Sequence, residues 1–157
     1  MPKGSEIIVS ANPQGKFLEG YVSGTPKPGT IMQISATAAV EGRFTWTAFN
    51  RNADGDFGIC AVLLPDSLQG QSVDTAYVSG TRCFLYVPLP GEEMNILKLD
   101  VSGTADDFAI GDYLMVDDGT GKVLATTGPT GAVWQPFIAL ETVTDPTADQ
   151  LVYCMKT

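Results

Sequence analysis

The segment Phe44-Thr45-Trp46-Thr47-Ala48-Phe49 alternates in side-chain character as a half-buried strand does. Successive side chains of a β-strand point to opposite faces of a sheet, so this alternation predicts a strand with one buried face. Further along the chain, residues 57–64 are almost continuously apolar and are stopped by Pro65, which suits a strand covered on both faces. Both segments indicate a protein built mainly from strands.

Short apolar runs of the same kind recur, separated by turn signals that contain Gly, Pro or Asp. Helix signals are few, and only residues 65–69 and 104–107 favour a short helical turn. Many short strands at close spacing predict an all-β fold, namely a small antiparallel β-barrel or β-tulip-like domain. The further candidate strands are residues 31–36, 83–87, 94–99, 113–116, 122–125, 137–142 and 151–155.

The chain of 157 residues fits one ordinary domain. Its first 25 residues differ from the rest, because prolines and glycines divide short apolar pieces. We expect residues 1–25 to form an extended N-terminal arm and residues 26–157 a single β-rich body. An edge strand of the body is the alternative for the arm.

The composition argues against several classes of protein. Hydrophobic residues make up 44% and charged residues 17% of the chain, whereas disorder requires low hydrophobicity and high charge. The net charge of -9 disfavours nucleic acid and anionic membranes as partners. No apolar stretch approaches the roughly 20 residues of a membrane span. The start lacks a signal-peptide pattern, so we expect synthesis in a reducing cytoplasm.

The three cysteines, Cys60, Cys83 and Cys154, form no CxxC pair, and each lies in an apolar run. They are therefore predicted to be buried, reduced and slow to react.

The residues that commonly carry catalysis are sparse. The chain contains no histidine, which excludes Ser–His and Cys–His nucleophile systems. Residues 50–55 imitate the start of a calcium loop, but Ala61 stands where a bidentate glutamate is needed, so a hairpin turn between Phe49 and Phe57 is predicted. Residues 119–122 imitate a phosphate loop without its first glycine or its Ser/Thr, so a tight turn is predicted. The aspartates of residues 106–118 have turn-like contexts. We predict no catalytic residue, no metal site, no cofactor and no enzymatic activity.

The aromatic residues Trp46, Trp134 and Tyr113 suggest an alternative function. If two of them were exposed on one face, they could stack on a sugar, as in a carbohydrate-binding β module.

The order of several turn-and-strand signatures is informative as a set. Together they resemble the head-decoration (cement) proteins of tailed bacteriophages over residues 26–157. The signatures are Pro28-Gly29-Thr30, residues 76–86, Leu89-Pro90-Gly91-Glu92-Glu93, residues 110–121 with Gly111-Asp112 and Asp118-Gly119, and residues 136–142 with Ala139-Leu140-Glu141.

This resemblance implies a structural virion protein on the capsid surface, which binds the major capsid protein after shell expansion and stabilises the shell. It also implies a homotrimer, and a role for the N-terminal arm in attachment by strand addition and apolar contacts. The family has no catalytic residues to carry over, and its members are made in a host cytoplasm. The carbohydrate-binding alternative would place the chain on a phage tail or a cell surface. The capsid-binding residues expected in the arm are Ile7, Ile8, Val9, Phe17, Leu18 and Tyr21.

Overall fold

The computed structural model describes residues 6–36, 39–50, 59–99, 107–117, 119–125, 136–144 and 150–157. Within them the fold is all-β, as predicted, and its one helical turn is the 3₁₀ turn Ser67–Gln69. The strands are β1 (Lys16–Val22), β2 (Ile31–Ile34), β3 (Thr45–Ala48), β4 (Ala61–Leu64), β5 (Arg82–Val87), β6 (Glu93–Lys98), β7 (Tyr113–Val116), β8 (Val123–Ala125), β9 (Phe137–Ala139) and β10 (Gln150–Lys156).

The strands close into two barrels. The first has the order β1-β3-β2-β4-β5 and the second the order β10-β6-β8-β7-β9. A ring of five strands cannot alternate in direction all the way round, so at least one neighbouring pair has to be parallel. The parallel pairs are β1·β3 and β6·β8. The prediction of a small antiparallel β-barrel is confirmed, and this parity explains the one parallel pair in each ring.

The two barrels have the same connectivity. Read from β6, the second ring repeats the order of the first, with its parallel pair again between the first and third strands. The registers also correspond, since Ile31 faces Val62 between β2 and β4 while Tyr113 faces Ile138 between β7 and β9. The body predicted for residues 26–157 therefore contains one five-strand unit complete and most of another.

A glycine in a left-handed conformation lies two residues before the second strand of each barrel. Gly29 has φ 88° and Gly111 has φ 95°, a region that glycine enters without steric cost. The Gly29 N–H donates to the Leu63 carbonyl at 2.8 Å, and the Gly111 N–H donates to the Ala139 carbonyl at 2.9 Å. The Pro-Gly and Gly-Asp turn signals in the sequence thus mark equivalent points of one repeated unit.

The core has two parts. A smaller cluster fills the first barrel. A larger cluster combines the inward side chains of the second barrel with three outward side chains of the first, Ile31, Val62 and Tyr86. Strand β4 is consequently buried on both faces, as its continuous apolar run predicts. Fully burying each of these large side chains contributes roughly 1.5–3 kcal/mol, so the shared cluster joins the barrels firmly.

The prediction of an N-terminal arm is wrong for residues 16–22. They form β1, which pairs with β5 over Lys16–Val87 to Tyr21–Arg82 and with β3 on its other side. Neither an arm nor an edge strand describes a strand paired on both sides. Gly20 is buried and faces the interior of the first barrel, where an added Cβ would lie 2.5 Å from the Trp46 ring and from the Phe44 carbonyl oxygen. Gly20, one of the glycines behind the prediction of an extended arm, is required here because a larger residue would not fit.

The predicted turn at residues 119–122 is confirmed. Gly121 has φ 65°, and a Cβ there would lie 2.2 Å from the Ile31 carbonyl oxygen. The Gly121 carbonyl accepts a hydrogen bond from the Ile31 N–H at 2.7 Å, and the Gly119 N–H donates to the Phe49 carbonyl at 2.9 Å. This turn therefore connects the second barrel to the first. Most of the hairpin turn predicted between Phe49 and Phe57, and most of the turn predicted at residues 104–107, lie outside the described residues.

Candidate interaction surfaces

The outer face of β1 presents the two predicted contact residues that reach solvent most directly. Phe17 and Tyr21 alternate with inward-facing residues, and Phe17 is 60% exposed. The Phe17 ring lies against the Tyr86 ring with 4.9 Å between centroids and 53° between planes. Tyr86 is fully buried, so it supports Phe17 from beneath and fixes an aromatic group at the surface.

Charged side chains surround this aromatic stripe. Glu19 lies between Phe17 and Tyr21 on the same face, and it forms ion pairs with Arg43 at 3.2 Å and with Arg82. Tyr21 donates its hydroxyl hydrogen to Glu41 at 2.5 Å, and this hydrogen bond raises the pKa of Tyr21. These contacts position the long side chains, which reduces the entropy that docking a partner would cost.

Two of the predicted contact residues face inward. Ile7 is only 2% exposed and belongs to the larger core cluster, and Leu18 packs against the interior of the first barrel. Ile7 is therefore not exposed for contact with a partner, and Leu18 is only partly exposed. Their apolar character reflects core packing, which sequence alone does not separate from an apolar interface.

The remaining predicted residues lie beside β6. Ile8 forms an antiparallel bridge with Met94, and the Val9 N–H donates to the Glu93 carbonyl at 3.0 Å. Both Ile8 and Val9 are half-buried. Ile8 also lines an open, largely apolar groove of about 560 Å³, whose other wall includes Val73. Ile8 and Val9 thus already pair with β6, so the strand addition predicted for the arm occurs within the chain.

Glu92 holds residues 14–15, just before β1, in place. Its carboxylate accepts hydrogen bonds from the Tyr86 hydroxyl at 2.7 Å, the Leu89 N–H at 2.7 Å, the Gly15 N–H at 3.1 Å and the Gln14 N–H. Burial acts to raise the pKa of Glu92, but these hydrogen bonds outweigh it and the pKa lies below its ordinary value. The carboxylate is therefore ionised, and it ties residues 14–15, which precede β1, to the start of β6.

An apolar row on the second barrel was not predicted from the sequence. Tyr113 faces Ile138 and Ile138 faces Met155 across β7, β9 and β10. Tyr113 is 39% exposed, Ile138 and Met155 are half-buried, and Ile110 beside them is 67% exposed. We call Ile110, Tyr113, Ile138 and Met155 the second-barrel row. Only strand pairing brings these residues together, and no local motif could have identified them.

The equivalent row of the first barrel is covered. By the repeated register, Ile31, Val62 and Tyr86 occupy the places of Tyr113, Ile138 and Met155. All three first-barrel residues are fully buried in the core that joins the barrels. The same positions therefore form an interface in one unit and reach the surface in the other.

The aromatic platform of the carbohydrate alternative is not assembled by these residues. Trp46 is 2% exposed inside the first barrel, and no described residue accepts a hydrogen bond from its ring N–H. Tyr113 lies on the second barrel, and Trp134 lies outside the described residues. Among the described residues no group of His, Cys, Asp and Glu side chains could hold a metal ion. In the same residues, no helix has the length and hydropathy to cross a membrane.

Comparisons with known proteins give a similarity of fold. No family model matches the chain, and no curated protein is similar to it in sequence. Among solved structures, the chain is similar to the N base of the head fiber protein gp8.5 of bacteriophage phi29. The TM-score is 0.54 at 10% sequence identity, and the match covers 92% of this chain and 95% of that one. The two chains share the fold over nearly their whole lengths.

Proposed function

We propose that this chain is a non-enzymatic structural protein of a tailed-phage virion, which binds the outer surface of the expanded capsid through the major capsid protein and stabilises the shell. The observation that carries the proposal is the similarity of fold, over nearly the whole of both chains, to the base of a phage head fiber. The order of turn signatures in the sequence supports the same class of protein independently.

The outer face of β1 is the surface we assign to the capsid. It combines an exposed aromatic side chain, Phe17, with the arginines Arg43 and Arg82. Aromatic residues and arginine are enriched in protein interfaces, where rigid side chains bury much area at small entropic cost. Both guanidinium groups are paired with Glu19 and stay partly exposed, so this face offers positioned hydrogen-bond donors to oxygen atoms of the partner.

Binding to shells tests this assignment. Wild-type protein should cosediment saturably with expanded shells of the major capsid protein and only weakly with unexpanded ones. Phe17→Ser should weaken binding about tenfold, equivalent to roughly 1.4 kcal/mol, while Leu68→Ser, at an exposed site on the 3₁₀ turn, should leave it unchanged. Deleting residues 1–25 is unsuitable, because it removes a barrel strand. Absence of wild-type binding would refute the proposed function.

Self-association into trimers is the second part of the proposal. The second-barrel row is apolar and partly exposed, whereas its first-barrel counterpart is buried. That counterpart lies beside the β7–β8 turn, which contacts Ile31 and Phe49. The corresponding β2–β3 hairpin carries the exposed side chains Ile34, Val40 and Phe44.

We therefore infer that the hairpin of one copy packs on the second-barrel row of the next. Such a contact joins two different surfaces of neighbouring copies, and repeating it generates a closed ring when the last copy contacts the first. Three copies would give the trimer that the sequence resemblance implies.

Light scattering coupled to size exclusion measures the assembly directly. Wild-type protein should have the mass of three chains, and Ile110→Asp or Ile138→Asp should give folded monomers. Leu68→Asp adds the same charge away from the row and should stay trimeric. A monomeric wild-type protein, or trimers of both row variants, would contradict this contact without bearing on shell binding.

A further inference from the structure

A polar pocket lies between the two barrels, away from both surfaces described above. It has a volume of about 360 Å³ and is bordered by the chain after β1, by β3, by β6 and by the β7–β8 turn. Its polar lining includes Ser23, Thr25, Lys27, Thr47 and Lys122. We call it the seam pocket.

The charge of the seam pocket is opposite to that of the chain. Lys27 and Lys122 supply two of the nine basic residues in a protein with eighteen acidic ones. None of the described residues that line the pocket is acidic. Lys27 forms no ion pair with any described residue. The Asp117 carboxylate, which contacts the lining hydroxyl of Thr120, offsets part of this charge. The two lysines still outnumber it, so the local potential favours an anion where the overall charge would repel one.

Hydroxyl groups in the pocket are available as donors. Thr30 and Thr120, which also line it, direct their hydroxyl hydrogens to the Lys27 carbonyl at 2.7 Å and to Asp117 at 2.6 Å. In contrast, the hydroxyls of Ser23 and Thr47 form no hydrogen bond within the described part of the chain. They can donate to a ligand without breaking a contact of the fold.

The size of the pocket indicates more than a bare oxyanion. Its volume of about 360 Å³ is many times the roughly 10–15 Å³ of cavity that one water molecule needs. Part of the wall is apolar, with Pro26, Ala48 and Leu97. A sugar ring has a C–H face for such a wall and hydroxyls for the serine and threonines, and pockets of this size are ordinary for small ligands.

We propose that the seam pocket binds an anionic monosaccharide unit, a hexuronate. Lys27 pairs with the carboxylate, Ser23 and Thr47 hydrogen-bond to ring hydroxyls, and the C–H face of the ring packs on Pro26 and Leu97. The site is distinct from the carbohydrate platform predicted at Trp46, because it relies on a lysine and hydroxyls in place of stacked aromatic rings. It does not depend on capsid binding.

Titration of ¹⁵N-labelled full-length chain with glucuronate tests the proposal by NMR. Glucuronate should shift the amide signals of residues 23–25, 27, 47 and 119–122 saturably. Glucose, acetate and inorganic phosphate should each bind at least tenfold more weakly. Lys27→Met should weaken glucuronate binding about tenfold, Thr47→Val should weaken it severalfold, and Lys16→Met, a lysine on β1 outside the pocket, should have no effect. Unchanged amide spectra elsewhere establish that each variant is folded.

Several results would overturn the proposal. Acetate or phosphate binding as tightly as glucuronate would reveal a site for a bare oxyanion, with no role for the sugar ring. Glucose binding equally well would remove the role of Lys27. Shifts located away from the seam pocket, or absent at saturating glucuronate, would show that the pocket does not bind this ligand.

Discussion

Replacing Glu92 by glutamine should destabilise the fold by about 1–3 kcal/mol, the cost of leaving a buried donor unsatisfied. One carboxylate oxygen accepts from the Tyr86 hydroxyl and the N–H groups of Gln14 and Gly15, and the other accepts from the Leu89 N–H at 2.7 Å. An amide has one acceptor oxygen, so its NH₂ group must oppose at least one of these donors.

Urea unfolding of wild type and E92Q at neutral pH measures this difference. Glu41→Gln is a matched control, because Glu41 accepts from the Tyr21 hydroxyl at the surface and its loss should have little effect. An E92Q midpoint equal to that of the wild type would refute the reasoning, because it would mean that water replaces the carboxylate at no cost.

The same pair of proteins has a predicted pH dependence. The folded pKa of Glu92 lies below its ordinary value of 4.5. Its stabilising contribution is therefore complete well above pH 4.5 and is lost as the pH falls through the folded pKa. The stability gap between wild type and E92Q should narrow in acid, and a gap that stays constant down to pH 3 would contradict the assigned ionisation.

Two further predictions concern the junction and the thiols. Gly121→Ala should destabilise the protein by more than about 2 kcal/mol, because its Cβ would lie 2.2 Å from the Ile31 carbonyl oxygen. Gly119→Ala has open space around its Cβ and should cost only about 1 kcal/mol of backbone strain. Equal urea midpoints for the two variants would be evidence against the close contact. Burial raises the pKa of Cys60 and of Cys83 to about 12 and also raises the pKa of Cys154. The folded protein should therefore react with a thiol reagent at less than one site per chain, whereas the protein unfolded in urea should react at all three. Rapid labelling of two thiols in the native state would contradict the packing.

The sequence predicted most strands because their patterns are local. Tyr113–Val116 has the predicted bounds, and β5 and β6 begin one residue earlier than expected. Proline and glycine end these runs for reasons that act within a few residues. Burial of all three cysteines also follows from such runs, and the structure confirms it.

Strand β1 escaped prediction because its apolar residues lie on both faces. Phe17 and Tyr21 point outward, while the inward positions hold Leu18, Gly20 and Val22. Only the approach of Trp46, which is distant in sequence, explains why Gly20 belongs in a strand. The contact residues predicted in this region were consequently a mixture of core and surface.

The repetition of the barrel is hidden from sequence for a related reason. Trp46 and Val123 occupy equivalent places opposite Ile34 and Val116, yet they differ greatly in size. Loops of different length also separate the equivalent strands, so no fixed period exists. Likeness between the two units resides in hydrogen-bond register, which only the folded chain reveals.

The attachment of the chain's first described residues to β6 has a consequence for folding during synthesis. A ribosome releases the first barrel's five strands before β6, so that barrel can close while its face of Ile31, Val62 and Tyr86 still lacks a cover. Residues 7–9 must wait for β6, because Asn95 and Glu93 are their hydrogen-bond partners. The nascent chain therefore passes through a stage with an uncovered apolar face and an unpaired leading segment, and in that interval chaperones would have most to protect.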